Sequence, residues 1–281
     1  MTGERGARAT AFTALLLLSL PLCAGYLWLV LASFGRGSEL SFGLFPADYT
    51  ADNWRFLWNP EAAGRDVPSV WRATGNTLIL ALSITALDVL LATNAGYVFS
   101  RWRFRGRGPL LAFVMVLHAF PSITLLVSLF IVLLHMGLLD SLWGIVLVKV
   151  ALQLPFSIFV MKGFFDGVPW ESEMSALMDG CTRLGAYRRV ILPQVLPGIA
   201  AISIFSFLEG WKEFLFVFAF TFDRSNWTLS AYLQAIMSRG GGGVDHGLLA
   251  AVAVFYMLPV LFFFLFTQKY LMRVQLGGTK G

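Results

Sequence analysis

Apolar residues run in six long blocks along this chain, from about Ala11 to Phe34, Thr74 to Ser100, Pro109 to Leu134, Leu142 to Met161, Pro197 to Phe222 and Leu248 to Thr267. A hydrocarbon core about 30 Å thick takes about 20 such residues in a helix. Backbone polar groups in lipid must be paired within the segment, so each block reads as a transmembrane helix. The short alternating runs of an outer-membrane barrel do not occur. The pattern predicts an all-α membrane protein with six transmembrane helices in one domain over 1–281. The first block follows Arg5 and Arg8 but is too long for a cleaved signal core. Its LPLCAG segment carries Leu22 where a lipoprotein cleavage box wants a small residue, so the block is read as an uncleaved span.

Composition agrees. Charged residues make up 13% of the chain, against about a quarter in soluble domains, and mean hydropathy is +0.73. With 26 Phe and 9 Trp the chain cannot stay solvated and disordered. Cys23 and Cys181 provide neither a disulfide framework nor zinc-ligand spacing. The net charge of +5 reflects topology rather than nucleic-acid binding. Of the 21 basic residues, 13 fall on one side of the predicted spans: Arg5, Arg8, Arg101, Arg103, Arg105, Arg107, Lys162, Arg183, Arg188, Arg189, Lys269, Arg273 and Lys280. The other side takes Arg36, Arg55, Arg65, Arg72, Arg224 and Arg239, while Lys149 and Lys212 lie within spans. The richer side is cytoplasmic by the positive-inside rule, which puts both termini there. Gly35 to Ala73 and Ser225 to Gly247, with its flexible RGGGG stretch, are then external.

Catalytic signatures are missing. There is no GxxxxGK[ST] phosphate loop and no GxSxG elbow, and His118, His135 and His246 stand apart from any metal-ligand spacing. No metal site is expected.

The informative segment is PWESEMSALMDGCTRLGAYRRVILPQVLP, within the loop 163–196. Pro169, Glu171 and Glu173 suit the opening of a helix, where the dipole favours negative charge. Ser175, Ala176 and Met178 continue it, and Gly180 can end or bend it. A second helix from Thr182 to Val190 would put Arg183 and Tyr187 on one face. The result is either a cytoplasmic helix–Gly–helix knob for a partner or a solvated re-entrant loop.

This segment resembles the signature loop of ABC-importer permeases, E-A-A-x-x-x-G-x9-I-x-L-P. Met174, Ser175, Ala176, Gly180, Val190, Leu192 and Pro193 align with it, and Asp179-Gly180 matches the Asp-Gly of sugar importers. Met174 replaces the motif glutamate and Ser175 the first alanine, with Glu171 and Glu173 just upstream. YTADNWRFLW, SFLEGWKEFLF and the tail QKYLMRVQLGGTKG extend the resemblance to the smaller, maltose-type carbohydrate permease.

The resemblance implies a permease that pairs with a second permease as a heterodimer in a bacterial or archaeal inner membrane. It implies two cytoplasmic ATPase subunits that bind ATP and Mg, so that this chain is no enzyme and has no cofactor. An extracytoplasmic sugar-binding protein would deliver a carbohydrate. The loop would be the ATPase-coupling element, with Arg183, Leu184 and Tyr187 entering the ATPase groove, and the tail 268–281 would also reach the ATPase. Since Met174 occupies the glutamate position, Glu173→Ala is expected to matter less than a change at Gly180.

Asp88, Lys149, Glu209, Lys212 and Glu213 fall within or near the spans, with Asn94, His118 and Gln153. A charge at mid-bilayer costs about 2.5–3.5 kcal/mol on insertion scales and so faces a partner or a wet cavity. Glu209, Lys212 and Glu213 share a helix face beside Trp211 at i+3 and i+4 spacing. They read either as a lining or gate of the solute pathway, or as pairing with the partner permease or a helix break. Rival functions are a same-fold permease for glycerol phosphate, an amino acid or a peptide, and a stand-alone secondary transporter, which would be expected to show internal repeats that are not evident here.

Overall fold

The computed structural model describes residues 2–36, 45–46, 48–64, 67–238 and 245–277, with side chains described between 12 and 265. The RGGGG stretch and residues 278–281 of the expected tail lie outside the described residues. The helices are α1 Thr2–Ala32, α2 Val70–Arg101, α3 Arg107–His118, α4 Leu126–His135, α5 Leu142–Asp166, α6 Trp170–Met178, α7 Arg183–Ala186, α8 Leu192–Gln194, α9 Leu196–Trp211, α10 Leu215–Phe220, α11 Leu229–Met237 and α12 His246–Gly277. Among the described residues, four helices are long and apolar enough to cross a membrane, and two bent pairs raise the number to as many as six.

The third and fifth apolar blocks are broken rather than continuous. The third bends by 90° between α3 and the stretch Ser122–His135. Pro121, with ψ 124°, cannot continue the helix, and proline also turns its preceding residue away from helical geometry. The fifth stops at Trp211 and restarts at Leu215. There the Glu213 carboxylate accepts the Phe216 backbone N–H at 2.8 Å, capping the new helix with a side chain from inside the break. The last helix runs past Thr267 to Gly277.

The chain forms two compact units, Met1–Trp71 with Tyr232–Pro259, and Arg72–Ala231 with Val260–Gly281. In the first, Asn53 donates to the carbonyls of Ser33 and Gly35 at 3.0 and 2.8 Å, holding the chain that leaves α1. Phe56 is buried edge-on against Phe255, and Trp71 donates to the Leu57 carbonyl at 2.7 Å. Side chains of α1 from Phe12 onward lie on the surface almost to the end of the helix, as suits an apolar helix whose solvent is lipid.

The second unit packs α2 and α5 along two apolar clusters. One joins Leu80, Ile84, Ile145 and Val146 to Phe216 and Phe220; the other joins Ala92 and Phe99 to Met161, Phe165, Ile191 and Ile202. Small residues allow the helices to approach, because lipid provides no hydrophobic drive and dispersion must hold them. A Cβ on Gly96 would fall 2.7 Å from that of Met161, and one on Gly210 would fall 2.7 Å from the Ala81 Cα. Gly210→Val should therefore destabilise the α2–α9 contact by about 1–3 kcal/mol. Thermal unfolding in detergent is expected to show a lower midpoint, with Gly210→Ala losing less.

Candidate functional site

Two groups of candidate residues lie in the second unit, one at each end of the α5 helix. The first is the knob between α5 and α9. Helix α6 opens with Glu171 and Glu173 in its first turn. It ends in a Schellman cap: the Cys181 N–H donates to the Ala176 carbonyl at 3.0 Å and the Gly180 N–H to that of Leu177 at 3.1 Å. Gly180 sits at φ +85°, the left-handed region that favours glycine. Thr182 then caps α7, its hydroxyl oxygen accepting from the Gly185 N–H at 3.1 Å. The second helix runs on past Val190 to Gln194, with α7 passing into a π turn over Tyr187–Ile191 and then into α8. Pro193 lacks the N–H that would pair with the Arg189 carbonyl, which accounts for the wider turn.

Met178, at 88% exposure, and Leu184, at 56%, stand out at the tip beside exposed Asp179, Gly180 and Arg183. Ser175 and Pro193 are exposed, Leu192 half-buried and Ala176 buried. Tyr187 does not share the outer face of Arg183. Its ring packs on Tyr97 at 4.6 Å between centroids and lies 6.4 Å from that of Phe165.

Glu173 also turns inward and is buried. The Tyr97 hydroxyl donates to its Oε1 at 2.6 Å, and Arg101 Nε lies 3.3 Å from its Oε2, with the Arg101 and Glu173 side chains 7% and 6% exposed. Arg101 further donates to the Val168 carbonyl at 2.7 Å and lies over the Trp170 ring. Tyr97 and Arg101 are i, i+4 on α2, so one helix face grips the knob. Nothing in the sequence motif signals this partnership, because Arg101 belongs to the basic topology loop.

The second group gathers around the break after α9. Lys149, from α5, lies 2.7 Å from Glu213 and 3.6 Å from Glu209, while Lys212 reaches Glu209 at 2.7 Å. Lys149 and Glu213 are almost buried, whereas Lys212 is largely exposed. Trp211 is buried and stacks on Phe207. The two acids and two bases neutralise one another. Lys149 and Glu209 also line a cavity of about 610 Å³ with His118, Gln153, Phe120 and Pro155. His118 Nδ1 is 3.0 Å from the Leu152 carbonyl, which can only accept. That makes Nδ1 the donating ring nitrogen in this contact. Pro155 deprives the Ala151 carbonyl of its helical partner beside the same cavity. Donors, acceptors and apolar walls thus converge, in a form suited to a polyhydroxylated solute.

Asp88 stands apart from this group. Buried on α2, it accepts from the hydroxyls of Ser157 on α5 and Ser206 on α9, both at 2.5 Å to Oδ2, tying three helices together. Among the described residues no group of His, Cys, Asp and Glu is placed to hold a metal ion.

Removing one partner of a buried ion pair leaves an uncompensated charge, at a cost of about 3–5 kcal/mol. Glu173→Ala should therefore lower the thermal midpoint of the solubilised protein strongly. The exposed Glu171→Ala should leave it near wild type.

A family profile described as "Binding-protein-dependent transport system inner membrane component" matches residues 88–274, a stretch that begins at Asp88 and holds both groups. The diacetylchitobiose uptake system permease protein NgcG of Streptomyces coelicolor is 31% identical over 268 residues, covering 95% of this chain and 87% of that protein. The maltodextrin transport system permease protein MdxG of Bacillus subtilis is 29% identical, covering 95% and 94%. The trehalose transport system permease protein SugB of Mycobacterium tuberculosis is 29% identical, covering 98% of both. In fold, the chain is similar to one from a bacterial ABC transporter that imports the acidic polysaccharide alginate, with a TM-score of 0.78 at 20% identity over 96% of this chain and 98% of that one. With the profile spanning most of the chain and relatives matching nearly end to end, this protein belongs to the binding-protein-dependent transport system inner membrane component family.

Proposed function

We propose that the chain is a permease subunit of an ATP-driven carbohydrate importer, forming the solute pathway with a second permease and coupled to two ATPase subunits through the knob 169–193. As a membrane component of a transport system it carries no catalytic step of its own. ATP and Mg would be bound by the ATPase subunits, and an extracytoplasmic binding protein would deliver the sugar. Both termini and the knob would face the cytoplasm of a bacterial or archaeal cell, the side favoured by the basic residues.

The observation that carries this reading is the knob itself. Its tip presents Met178 and Leu184 outward, while Glu173, Tyr97 and Arg101 tie its base to α2. A push on the tip is thereby passed to a membrane helix through a buried ion pair and a hydrogen bond rather than a slack loop. Arg183 and Leu184 are the side chains proposed to enter the ATPase groove, and Tyr187 transmits the load inward against Tyr97. The carbohydrate assignment is supported by relatives named for diacetylchitobiose, maltodextrin and trehalose. It is supported too by the charge-balanced cavity at Lys149, Glu209, His118 and Gln153.

Gly180→Val tests the coupling. A β-branched residue at positive φ is a strained outlier, so the Schellman turn should open and misalign Arg183 and Leu184. The expected result is a normally inserted protein that retains little ATPase on purification through a tag on this chain and loses sugar uptake. Full ATPase retention together with full uptake would remove the knob from the mechanism.

The polar group is divided by a second pair of variants. Glu209→Gln, at the cavity, should reduce uptake while assembly and basal ATP hydrolysis persist. Glu213→Gln, which strips the charge closest to Lys149, should instead lower complex stability. Equal loss of assembly in both would assign the whole group to packing.

A further inference from the structure

Bordering the first group, a cavity of about 640 Å³ opens where α2 ends and α3 begins, beside the base of the knob. Its walls include Arg101, Arg103, Arg107 and Arg183, with the indoles of Trp102 and Trp170. Arg101 is already neutralised by Glu173. Arg103, Arg107 and Arg183 form no ion pair among the described residues. The nearby Asp166 is engaged by Lys162 and by the Ser100 hydroxyl. Arg107 also acts on the Asp166 carboxylate through space. The cavity thus gathers guanidinium groups outside any close ion pair, and their planar forks match the oxygens of a phosphate.

We propose that this cavity binds the phosphate of an anionic phospholipid headgroup. Its position favours lipid over a free anion. It sits at the end of a 32-residue apolar helix, and half-exposed Trp102 and Trp170 mark the level at which aromatic side chains meet headgroups. From Arg107 the helix α3 leads away with no buried residue, and Leu110 and Phe113 provide an apolar track for acyl chains. Basic pockets between membrane helices hold headgroups in this way. The site touches both the RWRFRGRG loop and the base of the knob, through Trp170, so an occupied headgroup would brace the two. The proposal goes beyond the transport reading and does not depend on the identity of the solute.

Native mass spectrometry of the full complex, purified through a tag on this chain and titrated with dioleoyl phosphatidylglycerol or dioleoyl phosphatidylcholine, tests it. The wild type should retain phosphatidylglycerol and not phosphatidylcholine. Arg103→Ala with Arg107→Ala should weaken phosphatidylglycerol binding about thirtyfold. Arg188→Ala with Arg189→Ala, an equal loss of charge on exposed residues outside the cavity, should leave it unchanged. Arg103→Lys with Arg107→Lys keeps the charge but loses the fork, and should bind with intermediate affinity; this pair decides the matter if the alanine pair does not fold. Equal binding of both lipids, equal loss in the Arg188 and Arg189 control, or full affinity in the lysine pair would overturn the proposal. Displacement of the lipid by millimolar inorganic phosphate would overturn the choice of lipid and make the cavity a free-anion site.

Discussion

A hydrocarbon interior cannot hydrogen-bond an open amide or solvate a carboxylate, so each polar interruption of a span must find its partner within the protein. In this chain two such groups are met by partners from other helices. The break after Trp211 is capped by Glu213, whose charge is met by Lys149 from α5. The Asp88 carboxylate draws hydroxyls from Ser157 and Ser206. Each solution joins helices that are distant in sequence, so the groups that are costly in lipid become the ties between helices.

The same logic extends to the foot of the unit. Glu173 would be an ordinary first-turn acid on a solvated loop helix, but here it is buried against Tyr97 and Arg101 of α2. Burial strengthens the electrostatic hold and raises the cost of breaking it. The knob thus behaves as an extension of the α2 span. That rigidity is what the proposed coupling role requires.

Much of this was legible in the chain. Apolar block length sets where helices cross lipid, and four of the six blocks are continuous helices, two of which run on well beyond their expected bounds. The helix–Gly–helix turn could be read from Asp179-Gly180 and from Thr182, because left-handed geometry and N-capping are local preferences of single residues. The break in the third block was also latent in Pro121, yet hydropathy is blind to a proline inside an otherwise apolar run.

What the sequence by itself determined about this protein is therefore the set of local and solvent-driven properties: helical spans, the basic asymmetry between loops, and the turn at Gly180. Only the tertiary structure decided which charges meet. Lys149 and Glu213 are separated by α6, α7, α8 and α9, and Glu173 lies more than seventy residues from both Tyr97 and Arg101. Spacing along the chain reports neighbours on one helix face and nothing about the face of another helix. It therefore suggested Lys212 as a companion of Glu209, a pairing found here, and missed Lys149 as the buried counter-ion of Glu213. The long-range pairs follow from how α2, α5 and α9 pack through small residues such as Gly96 and Gly210, and that packing is a property of the assembled helices.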